Sequence, residues 1–200
     1  MTAVLTGLGL AAAAGLNAWA VLLLFNGLVR VLPQEFPGPL AAFLASPPVL
    51  QIALVLFLAE FVVDKIPFLD RFWDVGHTLL RPLVGALLAL ACVAPWSVPR
   101  QAGLAAAAAA VTLATHLAKS TTRLTSTAAT RGLTQFAVSL AEDVVALLLA
   151  TLVFFVPLFT ALFLAGLLML LLTHRHRVLR AIQVLFFRLQ HPRRRPKAAV

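Results

Sequence analysis

The stretch LAEFVVDKIPFLDRFWDVGHTLLR, residues 58–81, decides how the rest of the chain is read. The protein has seven acidic residues, and four of them (Glu60, Asp64, Asp70 and Asp74) fall here. Glu60 lies inside an apolar run that begins at Val49. A carboxylate in such a run is costly inside a bilayer, so it marks a functional site by default. The opening words recur downstream. Leu58-Ala59-Glu60-Phe61-Val62-Val63 reads L-A-E-x-V-V, and so does Leu140-Ala141-Glu142-Asp143-Val144-Val145.

Composition sets the class. The chain is 62% hydrophobic and 12% charged, with a mean hydropathy of +0.98. Soluble domains are nearer half apolar and a quarter charged. The long apolar runs predict an all-α membrane bundle. The first run lacks the basic flank of a signal peptide and is too long for its hydrophobic core, so it reads as a membrane helix. Cys92 is the sole cysteine, which excludes an internal disulfide; among Leu, Ala and Val it reads as a small buried hydrophobe. The net charge of +9 is not a nucleic-acid signal, because eight of the sixteen Lys and Arg lie after residue 173. The chain carries no G-x-S-x-G, P-loop or H-E-x-x-H motif. No catalytic residue and no cofactor is expected, and the chain is not read as an enzyme.

Six membrane helices are predicted. The first covers residues 3–29 and is rich in small residues, which let helix backbones approach closely. Asn17 lies within it. The simpler expectation is a continuous helix with one interhelical hydrogen bond from Asn17; the alternative is an unwound break of the kind that lines transporter sites. Pro33, Pro37, Pro39, Pro47 and Pro48 then mark a loop, with residues 40–45 at the interface. The second helix, 49–66, stops at Pro67 and puts Glu60 and Asp64 on one face. Residues 67–81 read as a polar linker, and 82–96 as the third helix with Pro82 in its first turn. The fourth helix is 102–118, followed by a Ser- and Thr-rich linker, 119–135. The run 136–172 is too long for one helix across a core of about 30 Å, and Pro157 divides it into two. Residues 174–200 form a basic cytoplasmic tail, amphipathic and helical to about residue 190, then polybasic.

The positive-inside rule supports both termini in the cytoplasm. Lys65, Arg71, Arg81, Lys119, Arg123, Arg131 and the tail then lie inside, and only Arg30 and Arg100 outside. The transmembrane domain is 1–173, with halves 1–98 and 99–173. Three helices per half make the halves inverted, as in many transporters. Gly9-Leu10 before Ala11 and Gly103-Leu104 before Ala105 give the halves a second likeness. An inverted repeat would bring Glu60 and Glu142 together near the midplane.

The candidate ion- or proton-coupling residues are Glu60, Asp64, Glu142 and Asp143. Clustered carboxylates in a low dielectric bind cations, or hold protons with raised pKa values. The structural alternative pairs Glu60 with Lys65 or Lys119, and Glu142 with Arg123 or Arg131. Asn17 and Ser139 are candidates for substrate contact or a helix break. Asp70, Asp74 and His77, spaced by four and three, share a helical face that suits a divalent metal; a solvated interfacial helix is the simpler reading. The basic set Lys65, Arg81, Lys119, Arg123 and Arg131 would bind anionic headgroups or pair with the acids. The expected function is transport coupled to H+ or a small cation through the intramembrane carboxylates. The alternative is a membrane scaffold, or a lipid-binding or lipid-translocating protein, using the basic loops and tail. The expected partners are the lipid bilayer, anionic lipid at the tail, H+ or a metal cation, and a second copy in a homo-oligomer; nucleic acid is not among them.

Several motifs together carry a resemblance. G-L-N-A at 15–18, D-K-I-P-x-L-D-x-x-W-D at 64–74, Arg81-Pro82, and S-L-A-E-D at 139–143 resemble the bacterial integral membrane proteins of domain-of-unknown-function family 4126. The resemblance covers the chain to about Pro157 and leaves out the tail after Thr173. It implies a small multi-spanning protein of the bacterial inner membrane and no particular activity. A weaker likeness is to cation/proton exchangers with an E-x-G-D-K-T motif in each of two inverted three-helix halves. Here the counterpart is E-F-V-V-D-K, with one more residue between the acids and no glycine; the second half has E-D and no lysine.

Overall fold

A computed structural model describes residues 2–36, 38–66, 69–93, 96–130 and 135–173. Among them it has eight α-helices and no strand. They are α1 (Thr2–Leu16), α2 (Ala18–Val31), α3 (Pro39–Leu44), α4 (Pro47–Val63), α5 (Leu69–Ala91), α6 (Val98–Thr130), α7 (Gln135–Phe155) and α8 (Pro157–Thr173), with a short 3-10 turn, Pro33–Glu35, before α3. Met1–Ala161 form one compact unit, and a second begins at Leu162. Three stretches are long and apolar enough to cross a membrane: Phe72–Ala91, Val98–Thr121 and Phe136–Phe155. Shorter apolar helices are Thr2–Leu16, Ala18–Val31, Pro47–Val63 and Leu158–Met169.

The first unit is organised around α1, which packs on α5, α6 and α7. Its small residues are the reason. Gly7, Gly9, Ala11, Ala12, Ala13, Ala14 and Gly15 are all buried, so neighbours approach from every side. Ala11 packs with Ala89 of α5, with Val93 just beyond its end, and with Leu104 and Ala108 of α6. A Cβ on Gly7 would stand 2.9 Å from the Ala89 Cα. Phe36, beyond the 3-10 turn, meets Phe25 of α2 edge-on and stacks on Phe154 of α7.

The distribution of polarity is inside-out. On α4 the buried residues are Ala53 and Glu60, while Ile52, Leu54, Val55, Leu58 and Val62 are exposed. On α5 Arg81 is 0% exposed and Leu79 is 81% exposed. In water such an arrangement would strand apolar surface and bury charge; in lipid it satisfies both.

Three expectations are corrected. The first helix is not continuous: it breaks at Asn17, whose backbone is extended (φ −148°, ψ 100°). Residues 69–81 are not a linker but the first half of α5, so Pro82 lies inside a helix. It removes only the hydrogen bond to the Thr78 carbonyl. Likewise α6 continues through the Ser- and Thr-rich stretch to Thr130. Within these stretches Asp74, Arg81, Lys119 and Arg123 find partners inside the bundle, which suits a helix as well as water would. The break between α7 and α8 falls before Pro157 as expected; Val156 and Thr160 close it with hydrogen bonds to the Leu152 and Val153 carbonyls. Arg131 and residues 174–200, including the predicted tail helix, lie outside the described residues.

Candidate functional site

Four helices each turn one polar face inward. Glu60, on the last turn of α4, and Asp64, its C-cap, are four apart. Asp74, His77, Thr78 and Arg81 recur every three or four residues along α5, as do His116, Lys119, Ser120 and Arg123 along α6. Ser139, Glu142 and Asp143 do so on α7. This is the spacing that usually marks an apolar stripe facing a core; here it carries ions. All four faces converge on the break between α1 and α2.

The break supplies polar backbone where a continuous helix would supply none. Asn17 caps α2 by accepting the Ala20 N–H on its side-chain oxygen at 2.9 Å, and its side-chain nitrogen donates to Asp143 Oδ1 at 2.8 Å. On the other side, the terminal carbonyls of α1 accept from cations. Arg81 Nη1 donates to Gly15 O at 3.0 Å, and Lys119 Nζ to Leu16 O at 2.6 Å. Cations at a helix C-terminus are favoured by the helix dipole. Close packing holds the break in place: a Cβ on Gly15 would stand 2.5 Å from the Thr112 carbonyl and 1.8 Å from Thr115 Oγ1.

Around the break, acids and bases interlock. Arg81 Nη2 donates to Glu60 Oε1 at 2.5 Å, both side chains fully buried. Lys119 Nζ is 3.2 Å from Asp64 Oδ2, 3.6 Å from Glu60 Oε1 and 3.7 Å from Glu142 Oε2. Glu60 and Glu142, the two glutamates of the L-A-E echo, therefore share one ammonium. Arg123 donates from Nη2 to Asp64 Oδ2 at 2.6 Å and from Nε to Glu142 Oε2 at 2.7 Å, with Nη2 closer still to that oxygen. Lys65 Nζ lies 3.9 Å from Asp143 Oδ2, donates to Phe61 O at 2.8 Å and Ser139 Oγ at 3.4 Å, and sits over the Phe61 ring. With Asp74 3.9 Å from Arg81, five carboxylates thus meet four cationic side chains, and the cluster carries one net negative charge when all are ionised.

Asp64 goes against the expectation of raised carboxylate pKa values. Burial alone would raise it, but Lys119, the hydrogen bond and charge of Arg123, and Arg81 together hold it down at about 2.

Hydrogen bonding fixes two histidine tautomers. Arg81 Nη1 is 2.7 Å from His116 Nδ1. A guanidinium only donates, so Nδ1 accepts and the ring proton sits on Nε2, facing Thr78 Oγ1 at 3.2 Å. Thr78 in turn donates to Asp74 O. Trp19 Nε1 donates to His77 Nε2 at 2.9 Å, so the His77 proton sits on Nδ1, bonded to Trp73 O. Both rings are neutral in these arrangements.

The other sequence candidates divide as follows. Asp74 faces Ser120 at 3.2 Å and lies 3.9 Å from Arg81, while His77 is taken by Trp19 and Trp73; the Asp70 side chain is not among the described ones. No group of three or more His, Cys, Asp or Glu among the described residues is arranged to hold a metal ion. Arg81, Lys119 and Arg123 are buried and paired with acids rather than displayed on loops. Trp19, Leu56, Phe72, Trp73 and His77 line an apolar cleft of about 590 Å³ beside the cluster. His116, Thr78 and Ser120 join the site without having been expected from the sequence. The polar periodicity 112, 115–116, 119–120, 123 is the signal that could have found His116 and Ser120.

No curated protein and no solved structure matches the chain. One family model does, over residues 4–177, which extends the likeness beyond Pro157 through the whole of α8. That match covers far more than half of the chain, and the protein belongs to the family described as Domain of unknown function (DUF4126).

Proposed function

We propose that the protein is a bacterial inner-membrane transporter, coupled to protons or a small cation through Glu60 and Glu142. The observation that carries this reading is the discontinuous α1–α2 helix meeting a buried acid–base cluster. In a bilayer, non-helical backbone is tolerated where it is covered by protein or lines a path, and transporters place their ion sites at such breaks. An inert bundle would gain stability from apolar packing in place of these charges. In this reading the broken pair α1–α2, then α4, α5, α6, α7 and α8, make six spans, with both termini cytoplasmic. The halves form an inverted repeat in which α4 and α7 deliver equivalent glutamates to Lys119.

The test is flux in liposomes carrying the purified protein, beside the Glu60→Gln/Glu142→Gln variant. Proton or cation flux in the wild type that the variant loses is the expected result. Undiminished flux in a folded variant would remove the glutamates from the coupling step.

A further inference from the structure

We propose that the coupling ion is the proton, and that the cargo moved with it is an oxyanion gripped by Arg81, Lys119 and Arg123. This deepens the transporter reading and rests on it.

A metal cation is poorly served here. Each carboxylate of the cluster already faces a side-chain cation within 4 Å. An incoming metal would lie among Arg81, Lys119 and Arg123, all buried. Calcium and magnesium sites also need about six or more oxygen ligands. The described residues offer no group of three acid, histidine or cysteine ligands. A proton needs one oxygen. Glu60 Oε2 and Glu142 Oε1 are buried and make no hydrogen bond.

Asp74 Oδ1 and Asp143 Oδ2 are likewise buried without a hydrogen bond; what distinguishes the two glutamates is that they face the Nε–Nη2 edges of Arg81 and Arg123. Asp64 beside them is held charged by Lys119 and Arg123. Asp143 accepts from Asn17. Asp74 accepts from Ser120. His77 and His116 both spend their acceptor nitrogens on donors, Trp19 and Arg81. Lys65 lies on the Asp143 side of the cluster. The groups facing the glutamates from α4, α5, α6, α7 and the break are then all accounted for.

Protonation changes what the arginines can hold. Nε and Nη2 form one edge of a guanidinium, the edge that takes a carboxylate, sulfate or phosphate with two parallel bonds. On Arg81 that edge faces Glu60 through Nη2, and Nε makes no hydrogen bond. On Arg123 the same edge faces Glu142. A proton on either glutamate cancels the nearest counter-charge of its arginine, leaving Arg81 with Asp74 at 3.9 Å and Arg123 with Asp64 alone, and removing charge from one side of a buried pair is unfavourable. An anion on the vacated edge restores the charge that the proton cancelled. Each negative charge of cargo therefore travels with one proton: two for a divalent anion, one on each glutamate. No covalent bond changes, and charge is conserved.

The shared chemistry is an oxyanion, free in solution or carried on a lipid headgroup whose chains would occupy the apolar cleft beside His77. Linked proton uptake separates these sources and separates both from a metal. Purified protein in weakly buffered detergent solution, with a pH-indicator dye, is titrated with tetramethylammonium sulfate, dioctanoyl phosphatidylglycerol, sodium chloride and calcium chloride. Sulfate or the lipid is expected to drive proton uptake and to bind about tenfold more tightly per proton for each pH unit lowered. Uptake with the lipid alone assigns the headgroup source. The Glu60→Gln/Glu142→Gln variant, checked for folding by its size-exclusion profile, is expected to bind the anion with no proton uptake. The pH dependence of wild-type affinity tests the same point without any variant. Silence with both anions, or proton release on adding sodium or calcium, overturns the proposal. Linked uptake without liposome flux would sink the transport reading and leave this site standing; sodium or calcium flux would do the reverse.

Discussion

The same three helices, α1, α5 and α6, meet in two ways. Near one end they touch through Ala11, Ala89, Ala108 and Leu104. Further along they touch through Arg81, His116 and Lys119, gathered on the terminal carbonyls of α1. The alanine region works by proximity. Its contacts are non-directional, so it tolerates polar neutrality but no added bulk. The ionic region works by direction. Its members are fixed by donors and acceptors, so it tolerates modest changes of shape but no lost partner. Thr112 stands between the two: its single hydroxyl proton is shared between Ala11 O at 2.8 Å and Ala108 O at 2.9 Å, and its carbonyl packs against Gly15 at the break.

The largest effect should come from removing one ion partner. Arg81→Met leaves buried Glu60 with Lys119 alone, at 3.6 Å, and takes the donor from the Gly15 carbonyl; losing one partner of a buried pair costs roughly 3–5 kcal/mol. Thermal unfolding in detergent should show it, and Arg81→Met/Glu60→Met should recover much of the loss. A single variant that melts like the wild type would show the pair to be dispensable. Gly15→Ala comes next, as the break is where the close-packing and ionic regions join. Its Cβ would meet the Thr112 carbonyl at 2.5 Å, and overpacking of this kind costs about 1–3 kcal/mol. Gly103→Ala, with nothing within 4 Å of its added Cβ, is the control and should be neutral or better. Equal stability of the two variants would refute the close-packing account.

A smaller change is expected for Asn17→Ala, which removes the cap of α2 and the contact to Asp143. Losing an N-cap costs roughly 1 kcal/mol. Hydrogen exchange at the Ala20 amide reads it directly, and unchanged protection there would mean that the cap contributes nothing. The gentlest perturbation is acid. The Asp64 carboxyl is held below its ordinary 3.8, at about 2. A depressed carboxylate contributes stability in full above the unfolded value and loses it as pH falls through the folded one. The stability difference between wild type and Asp64→Asn should therefore be constant from pH 7 to about 4 and shrink between about 4 and 2. A difference that does not change below pH 4 would rule out Asp64 as the titrating group.

Much of the site is legible in the sequence. Glu60, Asp64, Glu142 and Asp143 stand out because ionisable residues in apolar runs are rare, and rarity is a property of sequence. Asn17 stands out for the same reason, but whether it breaks the helix is not decided locally. A single Asn after Gly-Leu suits both a helix interior and an N-cap. What selects the cap is Asp143, 126 positions away, together with the cations that take the freed carbonyls. Residues 69–81 and 119–130 mislead for a related reason. Their polarity implies water, yet α5 and α6 carry Asp74, Arg81, Lys119 and Arg123 inward, where acids and bases replace water for one another.

The sequence by itself determined the class and the cast: a family member made of apolar helices, with few acids, placed where they are expensive. Those properties follow from composition and from 3.6-residue spacing, which are local. The tertiary structure decided the pairing. Arg81 with Glu60, Lys119 among three carboxylates, and Arg123 between Asp64 and Glu142 depend on how four helices rotate about their axes and how deeply each descends. That geometry is set by the alanine and glycine surface of α1, which draws α5, α6 and α7 close enough for long side chains to meet. No single helix holds that information, because an ion pair between distant residues exists only when packing brings both charges out of water together.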